Sequence, residues 1–131
     1  MIAGRRFNPA LVVVDAARDD YQTLTAQLDV DDEVVFFATG RDALRAPDGG
    51  DAFWLVSTQL PDMSGFDLYE MLRDRLVGTS VGIVAARYRP EEEIRAYQAG
   101  AVIFACKPLD AAWLRACLRS FSDNVVERSS P

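Results

Sequence analysis

With 131 residues, half of them apolar and 26% charged, the chain has the make-up of one globular domain with a single substantial core, not of a disordered or fibrous segment. A formal net charge of −6 argues against the basic stripe that nucleic-acid binding leaves on a domain. No apolar run reaches the roughly 18 residues of a membrane span, and Met1–Pro9 has no signal-peptide core despite Arg5 and Arg6. There is no histidine, the commonest general base, and Cys106 and Cys117 lack metal-ligand spacing, so they read as reduced structural thiols of a cytoplasmic protein.

Residues 1–9 form an extension ahead of the first pattern. The first predicted strand is Ala10–Asp15, and after it Tyr21, Leu24 and Leu28 share one helical face. A second strand, Glu33–Ala38, leads to a short helix over Arg41–Ala46, closed by Pro47 and Gly49-Gly50. The third strand, Ala52–Ser57, precedes a turn, Leu60–Gly65, and a helix that buries Leu68, Leu72 and Leu76. Val81–Ala86 is the fourth strand. Pro90 opens the next helix, with Glu91–Glu93 in a first turn where carboxylates suit the helix dipole. The fifth strand, Ala101–Cys106, is followed by a helix with Leu114, Cys117, Leu118 and Phe121 on one face. Residues 10–122 thus form the domain, and the polar, patternless residues 123–131 read as a tail or linker.

The strands are short and almost continuously apolar, which predicts burial on both faces in a parallel sheet. Alternation with helices implies right-handed βαβ units and a doubly wound α/β three-layer sandwich. Periodicity alone does not give the strand order. Phe53–Gly65 is the segment of most interest: an apolar strand that stops at Ser57 and then turns into a helix presents a side chain at the carboxyl edge of the sheet.

Several marks in order resemble the receiver domain of two-component response regulators. They are Leu11–Asp15, Gly40–Leu44, Leu60–Gly65, Ala99-Gly100-Ala101 and Lys107-Pro108, and the resemblance covers roughly residues 10–122. It implies a flavodoxin-like sheet of order 2-1-3-4-5 and a phosphorylation site made of two acids after the first strand, an aspartate closing the third, a hydroxyl residue closing the fourth and a lysine after the fifth, where the peptide to proline is usually cis. Here Asp15 is followed by Ala16, the acceptor position is Ser57, and the hydroxyl position is Ala85; Asp15 and Lys107 remain. Phe104 stands where the family often has a tyrosine that switches.

Each departure has a chemical consequence. Mg²⁺ prefers carboxylate oxygens in near-octahedral geometry, and phosphoryl capture needs both that cation and a carboxylate nucleophile. With Asp15 as the only site carboxylate, Mg²⁺ binding is expected to be weak or absent and no other cofactor is expected. A serine hydroxyl wants an adjacent base to become a nucleophile. Lys107 is expected to pair with Asp15, the alternative being that it faces Ser57 and holds an anion. Other acceptors are conceivable: Ser57 for a serine kinase, Asp51, or Asp62, although Asp51 falls at the wrong end of its strand and Asp62 in a turn suits capping. A flavodoxin-like cofactor site is disfavoured, because the loop after the first strand is acidic, not Ser/Thr-rich.

The resemblance therefore implies a degenerate, non-enzymatic receiver that signals through protein contact without aspartate phosphorylation, the alternative being a receiver that uses Mg²⁺ and an unconventional acceptor. In the family the contact face spans the fourth helix, fifth strand and fifth helix. Arg87, Tyr88, Arg89, Ile94, Arg95, Tyr97 and Trp113 fall there, of residue types enriched in binding hot spots, with core packing of Tyr97 as the alternative. Implied partners are a histidine kinase, an output domain, another signalling protein or a second copy of the chain. No nucleic acid or membrane is implied for this domain.

Overall fold

The computed structural model describes residues 10–28, 33–46, 52–75 and 79–129. The extension 1–9, the predicted helix stop at Pro47 and Gly49-Gly50, Asp51 and Leu76 lie outside them. Five strands, β1 (Leu11–Val14), β2 (Val34–Phe37), β3 (Phe53–Ser57), β4 (Val81–Ala85) and β5 (Ile103–Cys106), alternate with helices α1 (Gln22–Ala26), α2 (Gly40–Leu44), α3 (Gly65–Leu72), α4 (Pro90–Ala99) and α5 (Ala111–Ser129). All neighbours pair in parallel, in the order β2-β1-β3-β4-β5. This is the doubly wound sheet that the alternation predicted, with the strand order that the resemblance implied.

Strand alternation splits the core into two layers. Val12, Val14, Trp54, Val56 and Ile83 pack with Phe66, Leu68, Leu72 and Ala96 beneath α2, α3 and α4. On the other face, Leu11, Val13, Leu55 and Val84 pack with Tyr21, Leu24, Ala111 and Leu114 beneath α1 and α5. Of the predicted helix faces, Tyr21, Leu24, Leu68, Leu72 and Leu114 are buried and Leu28, Cys117 and Leu118 partly so, while the side chain of Phe121 lies outside those described. β2, at one edge of the sheet, is the exception to two-sided burial: all four of its residues are only half-buried, whereas β5 at the other edge is mostly covered. Arg18 partly covers it, with its guanidinium carbon 4.5 Å from the centre of the Phe36 ring.

Local signals set the helix ends. Thr39 and Ser64 cap α2 and α3 by accepting from the amides of Asp42 and Asp67, and Asp110 accepts from Trp113 N at the start of α5. α4 begins at Pro90 and ends at Gly100, whose φ of 108° is left-handed and suits glycine. Two boundaries differ from expectation. A 3₁₀ turn over Arg18–Tyr21 precedes α1, which shortens it. α5 runs to Ser129, through the segment read as a tail; Ser122, Asp123 and Asn124 favour helix weakly, but the helix is already propagating when it reaches them. No helix among the described residues is long and apolar enough to cross a membrane.

The β3–α3 turn does more than reverse the chain. Leu60 N bonds to Met63 O, Gln59 bridges Ser64, and the Asp62 carboxylate reaches across to accept from Gly40 N and Arg41 N, both at 2.9 Å, at the start of α2. These two amide bonds pull the Asp62 carboxyl below its usual value of 3.8. A depressed carboxyl stabilises the fold above its ordinary pKa and loses that contribution as pH falls through the folded value. Asp62→Ala is thus expected to lower the melting temperature at neutral pH, and the deficit should vanish in acid. An equal deficit at neutral pH and at about pH 2.5 would show that Asp62 acts by some route other than its charge.

Candidate functional site

Register brings the ends of β1, β3, β4 and β5 to one edge. Val14 pairs with Val56, Ser57 with Val84, and Ala85 with Cys106, so Asp15, Ser57, Ala85 and Lys107 follow one another across the carboxyl end of the sheet. Backbone bonds from Thr58 N to Val84 O and from Lys107 N to Ala85 O extend the pairing one residue further. The Lys107-Pro108 peptide is cis.

Asp15 is 5% exposed and fully engaged. Its Oδ1 accepts from Ala17 N at 2.9 Å, and its Oδ2 accepts from the Tyr21 hydroxyl at 2.7 Å and lies 2.8 Å from Lys107 Nζ. The expected pair is present, and Lys107 does not face Ser57. Asp20 joins it, its Oδ2 also 2.8 Å from Nζ, so the expectation of Asp15 as sole site carboxylate is corrected. The 3₁₀ turn accounts for this: it folds the Arg18–Tyr21 segment back over the sheet end and delivers Asp20 and Tyr21 together. Nζ also stands 5.8 Å from the centre of the Tyr21 ring. In the sequence Asp20 stood only as one member of an acidic loop, and Tyr21 only as an apolar-face residue.

The electrostatics agree with this geometry. Burial alone would lower the Lys107 pKa, but the hydrogen bonds to Asp15 and Asp20 and their charges outweigh it and raise it above 10.5. Burial, then the charge and hydrogen bond of Asp15, push the Tyr21 phenol well above its usual range, so it remains a donor. The group is a closed ion pair with a tyrosine donor.

Ser57 is separate from it. Its hydroxyl donates to Gln59 O at 3.0 Å and accepts from Gln59 N at 3.3 Å, and the residue is 6% exposed. No base touches it among the described residues. Ala16 and Ala85 add no polar side chain. Among the described residues no three His, Cys, Asp or Glu side chains are placed to hold a metal ion. Both Asp62 oxygens cap α2, which fits the capping role, and Asp51 lies outside the described residues.

The surface candidates fall on the segment between β4 and α4, on α4 and on α5. Tyr88 is 58% exposed, its ring 6.3 Å from and edge-on to buried Phe104, and its hydroxyl donates to Glu93 Oε1 at 2.7 Å. Arg87 and Arg89 flank it, both exposed. Arg95 lays its guanidinium 4.3 Å above the Phe66 ring. Ile94 and Tyr97 are exposed on α4, so Tyr97 is not a core residue. Trp113 is exposed on α5, across the sheet.

No family model matches the chain, and no curated protein matches it. Solved structures do. DrrB, a response regulator of Thermotoga maritima and an OmpR/PhoB homolog, is 23% identical with a TM-score of 0.77, over 90% of this chain and 54% of that one. The chain thus spans about half of full-length DrrB. The BeF3-activated DrrB receiver domain gives 0.78 at 23% identity, over 89% of this chain and 99% of that domain. The signal receiver domain of a putative LuxO repressor protein from Vibrio parahaemolyticus gives 0.72 at 23%, over 95% of this chain and 100% of that one. The structural neighbours are receiver domains, and the fold of this chain is theirs.

Proposed function

We infer that the protein is a receiver-fold signalling module that acts by contact with another protein and takes no phosphoryl group at the acceptor position. The observation that supports this most is the occupancy of the sheet edge: Lys107 is held between Asp15 and Asp20, while the Ser57 hydroxyl is closed onto the backbone of Gln59. Phosphoryl capture by a receiver requires a carboxylate nucleophile and a cation that neutralises the phosphate. The residues present do not fit Mg²⁺. Positions 16 and 57 carry no carboxylate, and a divalent ion would have to displace an ammonium that satisfies the two that are there.

Function then rests on Arg87, Tyr88, Arg89, Arg95 and Trp113, with Tyr88 fixed by Phe104 and Glu93 as a rigid aromatic anchor. The partner class is a kinase, an output domain, another signalling protein or a second copy of this chain, met in the cytoplasm, and the module itself is not an enzyme. One experiment tests the reading: capture of partners by the tagged protein before and after incubation with acetyl phosphate and Mg²⁺. The expected result is the same bound set, reduced for Tyr88→Ala, and no gain in intact mass. A stable phosphoryl mass on the protein, with a changed bound set, would contradict it.

A further inference from the structure

On its inner side β2 pairs with β1, and among the described residues no strand lies on its outer side. Glu33 O accepts from Leu11 N and Phe37 O from Asp15 N, so these residues address β1. Alternation along a parallel strand then turns the N–H and C=O groups of Val34, Phe36 and Ala38 outward. Edge strands of natural sheets commonly carry a lysine, a proline or an inward charge, which discourages pairing with another chain. Val34-Val35-Phe36-Phe37 has none of these, and all four residues are half-buried only.

The surroundings of this edge select its occupant. The sequence enters β2 through Asp31-Asp32-Glu33, with Glu33 exposed, and leaves it through Arg41 and Arg45, both exposed, against Asp42. A strand of the same polarity laid antiparallel brings acid towards base at both ends, and a second copy of this chain supplies that strand. The register that uses all three outward residues puts Phe36 opposite Phe36 and Val34 opposite Ala38. Val35 then lies opposite Phe37 on the α2 side, a β-branched and aromatic cross-strand pair of a favourable kind. An open groove of about 620 Å³, lined by Val35, Phe37, Ala38 and Arg45 among others, leaves room there for the second copy's side chains.

We propose that the chain forms a two-fold dimer by antiparallel pairing of β2 with β2 of a second copy, which joins the two sheets into one. The interface is isologous, so it closes on itself and does not propagate into a fibre. Strands this short bury little area, so the dimer is weak and depends on concentration. It uses neither the Tyr88 surface nor the Lys107 ion pair, and it stands or falls independently of the proposed function.

The test is sedimentation equilibrium of the full chain over a concentration series, with amide hydrogen exchange measured at both ends of the series. The expected result is a mass that rises towards two chains, with exchange at Val34, Phe36 and Ala38 slowing as it does. Exchange at Val35 and Phe37, which already address β1, and along α4 should not change. Val34→Pro removes an outward donor and leaves the bonds to β1 in place, so it should weaken association about tenfold or more. Glu33→Arg, at an exposed position outside the strand, tests the same face without altering the backbone. It should also weaken association, and adding Arg41→Glu should restore it. A single-chain mass up to about 1 mM, protection confined to α4 or α5, or unchanged association in Val34→Pro and Glu33→Arg would each overturn the proposal.

Discussion

Gly65→Ala is expected to destabilise the protein by about 3 kcal/mol or more, an unusually large effect for one added methyl group. A Cβ at this position would lie 1.8 Å from Ser57 O and 2.7 Å from Ser57 C. These are backbone atoms of a fully buried strand, held in register by β1 and β4, so they cannot move aside as a side chain would. Either α3 lifts off the end of β3, breaking the bond from Gly65 N to Thr58 O, or the strand end shifts and carries Ser57 with it. Gly40→Ala provides the contrast. The three atoms nearest its Cβ would all belong to the Met63 side chain, the sulfur at 2.5 Å, and methionine can change rotamer. Urea unfolding of both variants should therefore separate them widely. Similar losses would show that the strand end yields more easily than its pairing implies.

Lys107→Met is the second substitution with a large expected effect. It leaves Asp15 buried with only the Tyr21 hydroxyl and Ala17 N as partners. Removing one member of a fully buried pair costs about 3–5 kcal/mol. Lys107 is 18% exposed and Asp20 46%, so solvent reduces the expected loss to about 2 kcal/mol. Asp15→Asn in the Lys107→Met background should recover part of it, since the uncompensated charge is then gone. A double-mutant cycle measures this directly, and additive losses would contradict a direct coupling. The pH dependence has a definite sign. Because the Lys107 pKa is raised above 10.5, its contribution is present below that value and is lost as pH rises through the folded one. The wild type should therefore lose stability in strong alkali faster than Lys107→Met does.

Much of this architecture was legible from residue order. Short apolar runs between amphipathic ones gave the parallel sheet, and Pro90 and Gly100 marked the ends of α4. Strand order was not written in the periodicity; it came from resemblance, and the structure has it. The half-buried β2 could not be distinguished from a central strand, because edge position depends on topology and not on composition. At the site, the pairing of Lys107 with Asp15 could be anticipated from charge alone. Asp20 and Tyr21 could not, since they reach the lysine only through a 3₁₀ turn that no apolar pattern announces. Asp62 was recognisable as a capping residue, yet the helix it caps begins 22 residues upstream. Contacts made across the sheet edge are set by loop geometry, which sequence patterns describe least.

The proposed function requires that the carboxyl edge of the sheet hold no divalent cation while Lys107 satisfies its carboxylates. Mg²⁺ titration of the full chain, followed by amide shifts at Asp15, Ala16 and Ser57 and run beside the Ala16→Asp, Ser57→Asp double variant, tests it most directly. The expected result is no saturable response in the wild type and a saturable one in the double variant, which regains the missing oxygen ligands. Saturable Mg²⁺ binding at those three residues in the wild type would contradict it.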